Sequence, residues 1–241
     1  MLANAHGENP CGLGLGEGFD RRDTVDTEYP KIETLYDRDE RFKVVPKALR
    51  LPEFALPRSW AVTEKIDGTN VRVCLRDDGS VAYTGRTDTA QLPAKFFEYL
   101  ANTLPADRVR AAFPDCACTA VTIYGEGYGA GIQRGGIYRP NMALRIFDAL
   151  VGEWWLEPAN VQDVANKLGL MVVPYLGTIG ALPASREELL DILHGGQTAI
   201  GPAEGGCGGM AEGIVARTVP LLLTRGGERL MWKLKLRDFA A

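Results

Sequence analysis

The chain has 241 residues, 46% hydrophobic, 24% charged and 8% aromatic. At about 150 residues per domain this is one large domain or one domain with an appendage, with the composition of a globular protein. A balance of 27 basic against 31 acidic residues, net −4, excludes a bulk polycation but not an enzyme that confines positive charge to one groove.

No apolar run approaches the ~20 residues of a membrane span; the longest, around Val219–Leu223, contains Pro220 and stops at Arg225. The first 26 residues lack the basic start and apolar stretch of a secretion signal, so neither secretion nor membrane insertion is expected. Of the five cysteines, Cys116 and Cys118 are one residue apart, the wrong spacing for a zinc knuckle, and only two histidines, His6 and His194, occur. The thiols read as reduced and the compartment as cytoplasmic. Chemistry in this chain must therefore rest on lysine, arginine and carboxylates.

In chain order, Met1–Asp26 is Gly- and Asn-rich and reads as a disordered arm, with order beginning near Tyr29. From Trp60 to Arg86, alternating runs separated by Asp67-Gly68 and Asp77-Asp78-Gly79 predict an antiparallel meander. Helical periodicity spans about Ala94–Leu104, Glu157–Leu168 and Arg186–Leu193, the last opened by a Ser185/Glu188 capping box. Further strands are predicted at Thr119–Tyr124, Ala143–Leu150, Gly213–Thr218 and Leu230–Leu236, and Ile200–Gly209 reads as a mobile Gly-rich loop. Strand clusters separated by helices without regular βαβ alternation predict an α+β fold with antiparallel sheets.

Several nucleotide and hydrolase signatures are missing. There is no Gly-x-x-x-x-Gly-Lys-Ser/Thr, the glycines from Gly125 to Gly135 never form Gly-x-Gly-x-x-Gly, and neither Gly-x-Ser-x-Gly nor His-Glu-x-x-His occurs. A nucleotide bound here needs a different cradle.

The segment Glu64-Lys65-Ile66-Asp67-Gly68-Thr69-Asn70 reads on its own as a hairpin turn preceded by a lysine, and Lys-x-Asp-Gly arises by chance in roughly one chain in twenty of this size. Behind it, however, stands an ordered set: Thr84-Gly85-Arg86-Thr87, Ile123-Tyr124-Gly125-Glu126-Gly127, Leu144-Arg145-Ile146-Phe147-Asp148, Ala211-Glu212-Gly213-Ile214-Val215 and Trp232-Lys233-Leu234-Lys235. In order and type the set resembles the covalent nucleotidyltransferases, which include polynucleotide ligases and capping enzymes. Glu64–Asn70 and the Tyr124–Gly129 stretch are most similar to ATP-dependent RNA ligases of the phage nick-sealing and RNA-editing branch. The likeness runs over roughly Trp60–Phe239.

That resemblance implies a nucleotidyltransferase domain of two antiparallel sheets with flanking helices and an ATP pocket between them. It would occupy 27–241, with an N-terminal extension to about residue 59 and no C-terminal OB or helical domain. Lys65 would be the nucleophile that takes AMP from ATP. A free lysine with pKa about 10.4 is only about 0.1% neutral at pH 7.4, so it needs desolvation or neighbouring cations, which Arg86, Lys233 and Lys235 would supply while matching the triphosphate. By alternation alone, Lys233 and Lys235 fit a strand with a solvated face equally well. Asp67, Glu126 and Glu212 would surround a hydrated Mg²⁺ or Mn²⁺, Glu126 also lying close to the ribose. Asn70 lies within the nucleotide motif. Glu64 would meet the adenine amino group through its backbone or side chain. Phe147, core by its apolar run, would by resemblance lie on the adenine face. One departure is Arg217, where the family often has lysine, so a phosphate contact there would differ in geometry.

The expected activity is ATP-dependent RNA ligation, with RNA or an RNA-containing nicked duplex as partner. Nucleic-acid binding would come from the first ~60 residues, including Lys43, Lys47 and Arg50, or from a partner protein. A minimal DNA ligase, a capping guanylyltransferase and a non-catalytic adenylate-binding subunit are the alternatives.

Overall fold

Which face of each strand is apolar decides how this chain stacks. The computed structural model describes residues 27–114 and 119–239; the arm expected over residues 1–26, with Cys11, Cys116 and Cys118, lies outside the described residues. In chain order, β1 (Glu33–Thr34), β2 (Tyr36–Arg38) and β3 (Val44–Leu49) lead to β4 (Trp60–Lys65), β5 (Thr69–Leu75) and β6 (Val81–Thr84). Helices α1 (Ala94–Thr103) and α2 (Ala106–Ala112) precede β7 (Val121–Tyr128), β8 (Ala143–Val151), β9 (Trp154–Trp155) and α3 (Pro158–Lys167). Then come β10 (Met171–Val172), β11 (Tyr175–Ile179), α4 (Arg186–Ile192), β12 (Gly213–Arg217) and β13 (Met231–Lys235). No helix among the described residues is long and apolar enough to cross a membrane.

Two sheets result, ordered β1-β13-β12-β4-β11 and β10-β8-β7-β5-β6, with β9 on β8 and a separate β2–β3 hairpin. Both are antiparallel except at one edge each, where β1 runs parallel to β13 and β10 parallel to β8. The predicted α+β, two-sheet architecture is the one observed.

In the first sheet, alternation separates two faces. Trp60, Val62, Ile214, Ala216, Trp232 and Leu234 point backward into a core shared with Leu189 and Leu193, where Trp60 and Trp232 meet edge to face at 5.6 Å. Thr63, Lys65, Val215, Arg217, Lys233 and Lys235 are half-buried on the opposite face, which lines the cleft between the sheets. The second sheet is covered far more completely: Val73, Leu75, Val121, Ile123 and Ile146 pack with Phe96 and Leu100 of α1, Val109 of α2 and Val161 and Val164 of α3.

The structure corrects three expectations. Trp60–Arg86 is not one meander: β4 pairs with β12 and β11 in the first sheet, whereas β5 and β6 belong to the second. Asp67-Gly68 therefore carries the chain between sheets rather than closing a hairpin. Its glycine answers to close packing, since a Cβ on Gly68 would lie 2.2 Å from the Gly127 carbonyl oxygen. The true hairpin turn is at Gly79, in the left-handed region with φ 79°. Second, α2 escapes the periodicity, being one short helix opened by Pro105. Third, the Gly-rich 200–209 segment contains a 3₁₀ turn at Pro202–Glu204 and is pinned by Glu204, which pairs with Arg145 at 2.5 Å and Arg139 at 3.2 Å and accepts a bond from the Tyr128 hydroxyl at 2.8 Å. At α4, Ser185 Oγ accepts the Glu188 N–H at 3.1 Å, while the Glu188 carboxylate reaches back to the Ala184 N–H at 2.7 Å, one residue before the expected partner.

Candidate active site

Where β4, β12 and β13 run side by side, Gly213 stands in register with both Lys65 and Lys235, and Val215 with Thr63 and Lys233. Gly213 has to be glycine, because a Cβ there would meet the Leu234 carbonyl oxygen at 2.1 Å. The close approach leaves Glu212 between the two lysines: its carboxylate accepts from Lys65 Nζ at 2.6 Å and from Lys235 Nζ at 2.5 Å. Burial would raise the Glu212 carboxyl, but Lys65 and Lys235 outweigh it and hold the group below the ordinary carboxylate range. Lys233, one row further along, has no ion pair among the described residues. Burial first, then Lys65, Lys235 and Arg86, push its amine down to about 8. The lysine pair on β13 is thus a cleft wall and not an outer solvated face.

A cavity of about 420 Å³ opens on this wall. Across it, the second sheet contributes Asn70 and Glu126, opposite one another in the β5–β7 register. Phe147 of β8 and Arg86 beyond β6 also line it. Burial pushes the Glu126 carboxyl up to about 7. Lys65 and the Gly68 N–H act to lower it, and Glu212 and Asp67 to raise it further. The buried Asn70 Oδ1 has no hydrogen-bond partner among the described residues.

Of the sequence-predicted residues, Glu64, Lys65, Asn70, Arg86, Glu126, Phe147, Lys233 and Lys235 line this one cavity. Asp67 and Glu212 border the groove on its far side, and the Asp67 N–H donates to the buried Tyr138 hydroxyl at 2.9 Å. Among the described residues no three His, Cys, Asp or Glu side chains converge into a direct-ligand metal cage. Asp67, Glu126 and Glu212 nonetheless share one electrostatic neighbourhood, and an all-oxygen set of this kind fits a small hard cation that keeps its waters and takes phosphate oxygens, rather than a soft metal.

Two side chains sit differently from expectation. The Glu64 carboxylate is buried and occupied, accepting the Thr198 hydroxyl at 2.6 Å and the Ala199 N–H at 2.8 Å; it pins the 198–200 loop, and the Glu64 N–H donates to the Pro174 carbonyl at 2.9 Å. Arg217 lines the cavity but turns to the β8 strand, donating to the Phe147 carbonyl at 3.1 Å with Asp148 at 3.9 Å. Sequence reasoning also missed a roof over the cavity. Tyr29 packs edge-on against Phe147 at 5.0 Å and donates to Asp148 at 2.8 Å. Asp148 also holds Arg229 at 2.5 Å, and that guanidinium lies 3.5 Å from the centre of the Trp155 ring. The only available signal was the aromatic Tyr29 at the predicted onset of order.

A lysine on a strand, an acidic residue between it and a second lysine, and a cleft between two mostly antiparallel sheets match the nucleotidyltransferase-type fold of a solved RNA ligase structure. The family model for RNA ligases matches residues 58–235, and the chain belongs to that family. Among solved structures it is similar to Naegleria gruberi RNA ligase, seen as a mutant with ATP and Mn at TM-score 0.59 and 17% identity over 88% of this chain and 56% of that one. It is similar also to a mutant of that ligase with AMP and Mn (0.56, 17%, 86% and 61%) and to the ligase with PPi (0.55, 18%, 86% and 61%). The chain thus spans about three-fifths of those chains, and at such identity the likeness is one of fold. Comparison with curated protein sequences finds no match.

Proposed function

We propose that this protein is an ATP-dependent RNA ligase that joins 3′-hydroxyl and 5′-phosphate ends through a lysyl-AMP on Lys65. The observation that carries the reading is Lys65 itself, which opens onto the cavity with its amine held 2.6 Å from Glu212 and with Lys233, Lys235 and Arg86 around the same space. Family membership supports the reaction class, and the relatives crystallised with ATP and with AMP support the nucleotide.

In this reading ATP lies with its base toward Phe147 and the Glu64 backbone, its ribose toward Glu126 and Asn70, and its phosphates toward Lys233, Lys235 and Arg86. Lys65 Nζ loses a proton and attacks the α-phosphorus; a P–N bond forms and the P–O bond to pyrophosphate breaks. The AMP then passes to a 5′-phosphate, the P–N bond giving way to a phosphoanhydride, and a 3′-hydroxyl displaces AMP as the phosphodiester forms. A Mg²⁺ or Mn²⁺ held by Asp67, Glu126 and Glu212 would neutralise charge gathering on the phosphate. Lys233 and Lys235 supply fixed positive charge to the same end.

The test is incubation with α-labelled ATP or GTP followed by denaturing electrophoresis. Label from ATP should stay with the protein and vanish in Lys65→Ala; label from GTP alone would favour a capping activity, and label retained by Lys65→Ala would end the assignment. For the substrate, one nicked duplex is compared in all-DNA form and with an RNA 3′-hydroxyl strand. RNA-strand sealing should dominate, equal sealing favours a DNA ligase, and no sealing of either form points to a partner subunit.

A further inference from the structure

Lys65 and Glu212 form a partition with space on both sides. The nucleotide cavity lies on one side, while a groove of about 590 Å³ lies on the other, with Asp67 and Glu212 in its wall and Lys43, Arg134, Arg186 and Arg237 around it. Neither Asp67 nor Glu212 lines the nucleotide cavity, so this groove is a separate approach to the same reacting centre.

Its charge is lopsided. Glu212 is already engaged by Lys65, Lys235 and, at 3.7 Å, Arg237, which leaves Asp67 as the other carboxylate lining the groove alongside Lys43, Arg134 and Arg186. Arg134 and Arg186 are exposed and hold no ion pair among the described residues. Lys43 Nζ donates to the Arg237 carbonyl at 2.7 Å and ties the β2–β3 hairpin to the groove. A local excess of this kind in a chain of net charge −4 is the pattern expected where phosphates are gripped.

The hairpin tip adds an independent feature. Phe42 is 76% exposed and sits at φ 61°, a region that bulky aromatics avoid. Asp39 imposes the conformation, its Oδ1 accepting the N–H groups of Arg41 at 2.9 Å and Lys43 at 2.8 Å. A strained backbone that presents an aromatic ring to solvent between Arg41 and Lys43 suits base stacking with phosphate contacts on either side.

We propose that this groove receives the polynucleotide, its backbone phosphates on Arg134, Arg186 and Arg237 and one unpaired base stacked on Phe42. The inference rests on the ligase reading for its choice of ligand and assigns the residues that hold the strand.

The test measures fluorescence anisotropy of a labelled 5′-phosphorylated single-stranded RNA at several salt concentrations, with self-adenylylation assayed in parallel. The Arg134→Glu/Arg186→Glu pair should weaken binding roughly tenfold or more and lower the salt slope by about 2, and Phe42→Ala should cost about tenfold. Both should keep self-adenylylation within about twofold of the parent. Should the charge-reversed pair also lose self-adenylylation, the Arg134→Gln/Arg186→Gln pair must give the same direction of change with label intact. RNA binding with unchanged affinity and salt slope in variants that still self-adenylylate overturns the groove, and unchanged binding by Phe42→Ala overturns the stacking. A parent protein that takes no label from ATP would sink the ligase reading instead, while anisotropy still reads the groove.

Discussion

The two walls of the cleft carry different kinds of group for a physical reason. Strands β4, β12 and β13 bury one face against Trp60, Trp232 and Leu234 and leave the other half-wet, so lysines can occupy every second position there without full desolvation. The second sheet is packed on helices through α1, α2 and α3, and a cation there must be paired: Arg72, wholly buried, donates to the Gly85 carbonyl and to Asp88, both at 2.8 Å. Its cleft contribution is therefore a few groups, Asn70 and Glu126 near strand ends and Phe147 in the middle of β8. Lysines thus belong to the half-wet wall, and Arg86, the cation across the cleft, is exposed rather than buried.

That contrast can be broken one face at a time. Lys65→Ala should abolish labelling by ATP while leaving the thermal unfolding midpoint nearly unchanged, since the amine belongs to no core. The reverse is expected for Trp232→Ala on the rear face, which should lose about 3–5 kcal/mol of stability in urea titration but still take label under native conditions. Glu212→Ala should slow single-turnover adenylylation by roughly 10²–10³-fold with a smaller effect on ATP affinity; an unaltered rate would make Glu212 a purely structural ion-pair partner. The smallest effect concerns pH. With its carboxyl raised to about 7 by burial, Glu126 is protonated below that value and ionised above it, so adenylylation should climb as pH rises through neutrality. Glu126→Gln should lower the plateau and flatten the climb.

The strands legible in the sequence were β4 to β8, β12 and β13, most with burial that alternates or runs unbroken, and the helices were those with a full apolar stripe, α1 and α3, or a capping box, α4. Short edge strands such as β1 and β10 leave no local pattern, because two residues pairing in parallel with a distant strand carry no period. The partner of β4 was misread for the same reason: Asp67-Gly68 looks like a turn locally, whereas strand choice depends on which core Trp60 and Val62 enter. Eight of the predicted residues meet at one cavity, because the strands that carry most of them lie side by side on its two walls. What remained hidden was side-chain direction. Nothing local reveals that Glu64 turns to Thr198, that Arg217 turns to the Phe147 carbonyl, or that Tyr29 roofs the site across 119 positions through Asp148.

In the proposed reaction Lys65 is the residue that becomes covalently adenylylated. That step is tested most directly by incubating the protein with ATP and Mg²⁺ or Mn²⁺, digesting it, and locating the added AMP by mass spectrometry. The adduct is expected on the peptide that contains Lys65, bonded through Nζ, with no adduct in Lys65→Ala. An adduct on Lys233 or Lys235, or one that persists in Lys65→Ala, would contradict it.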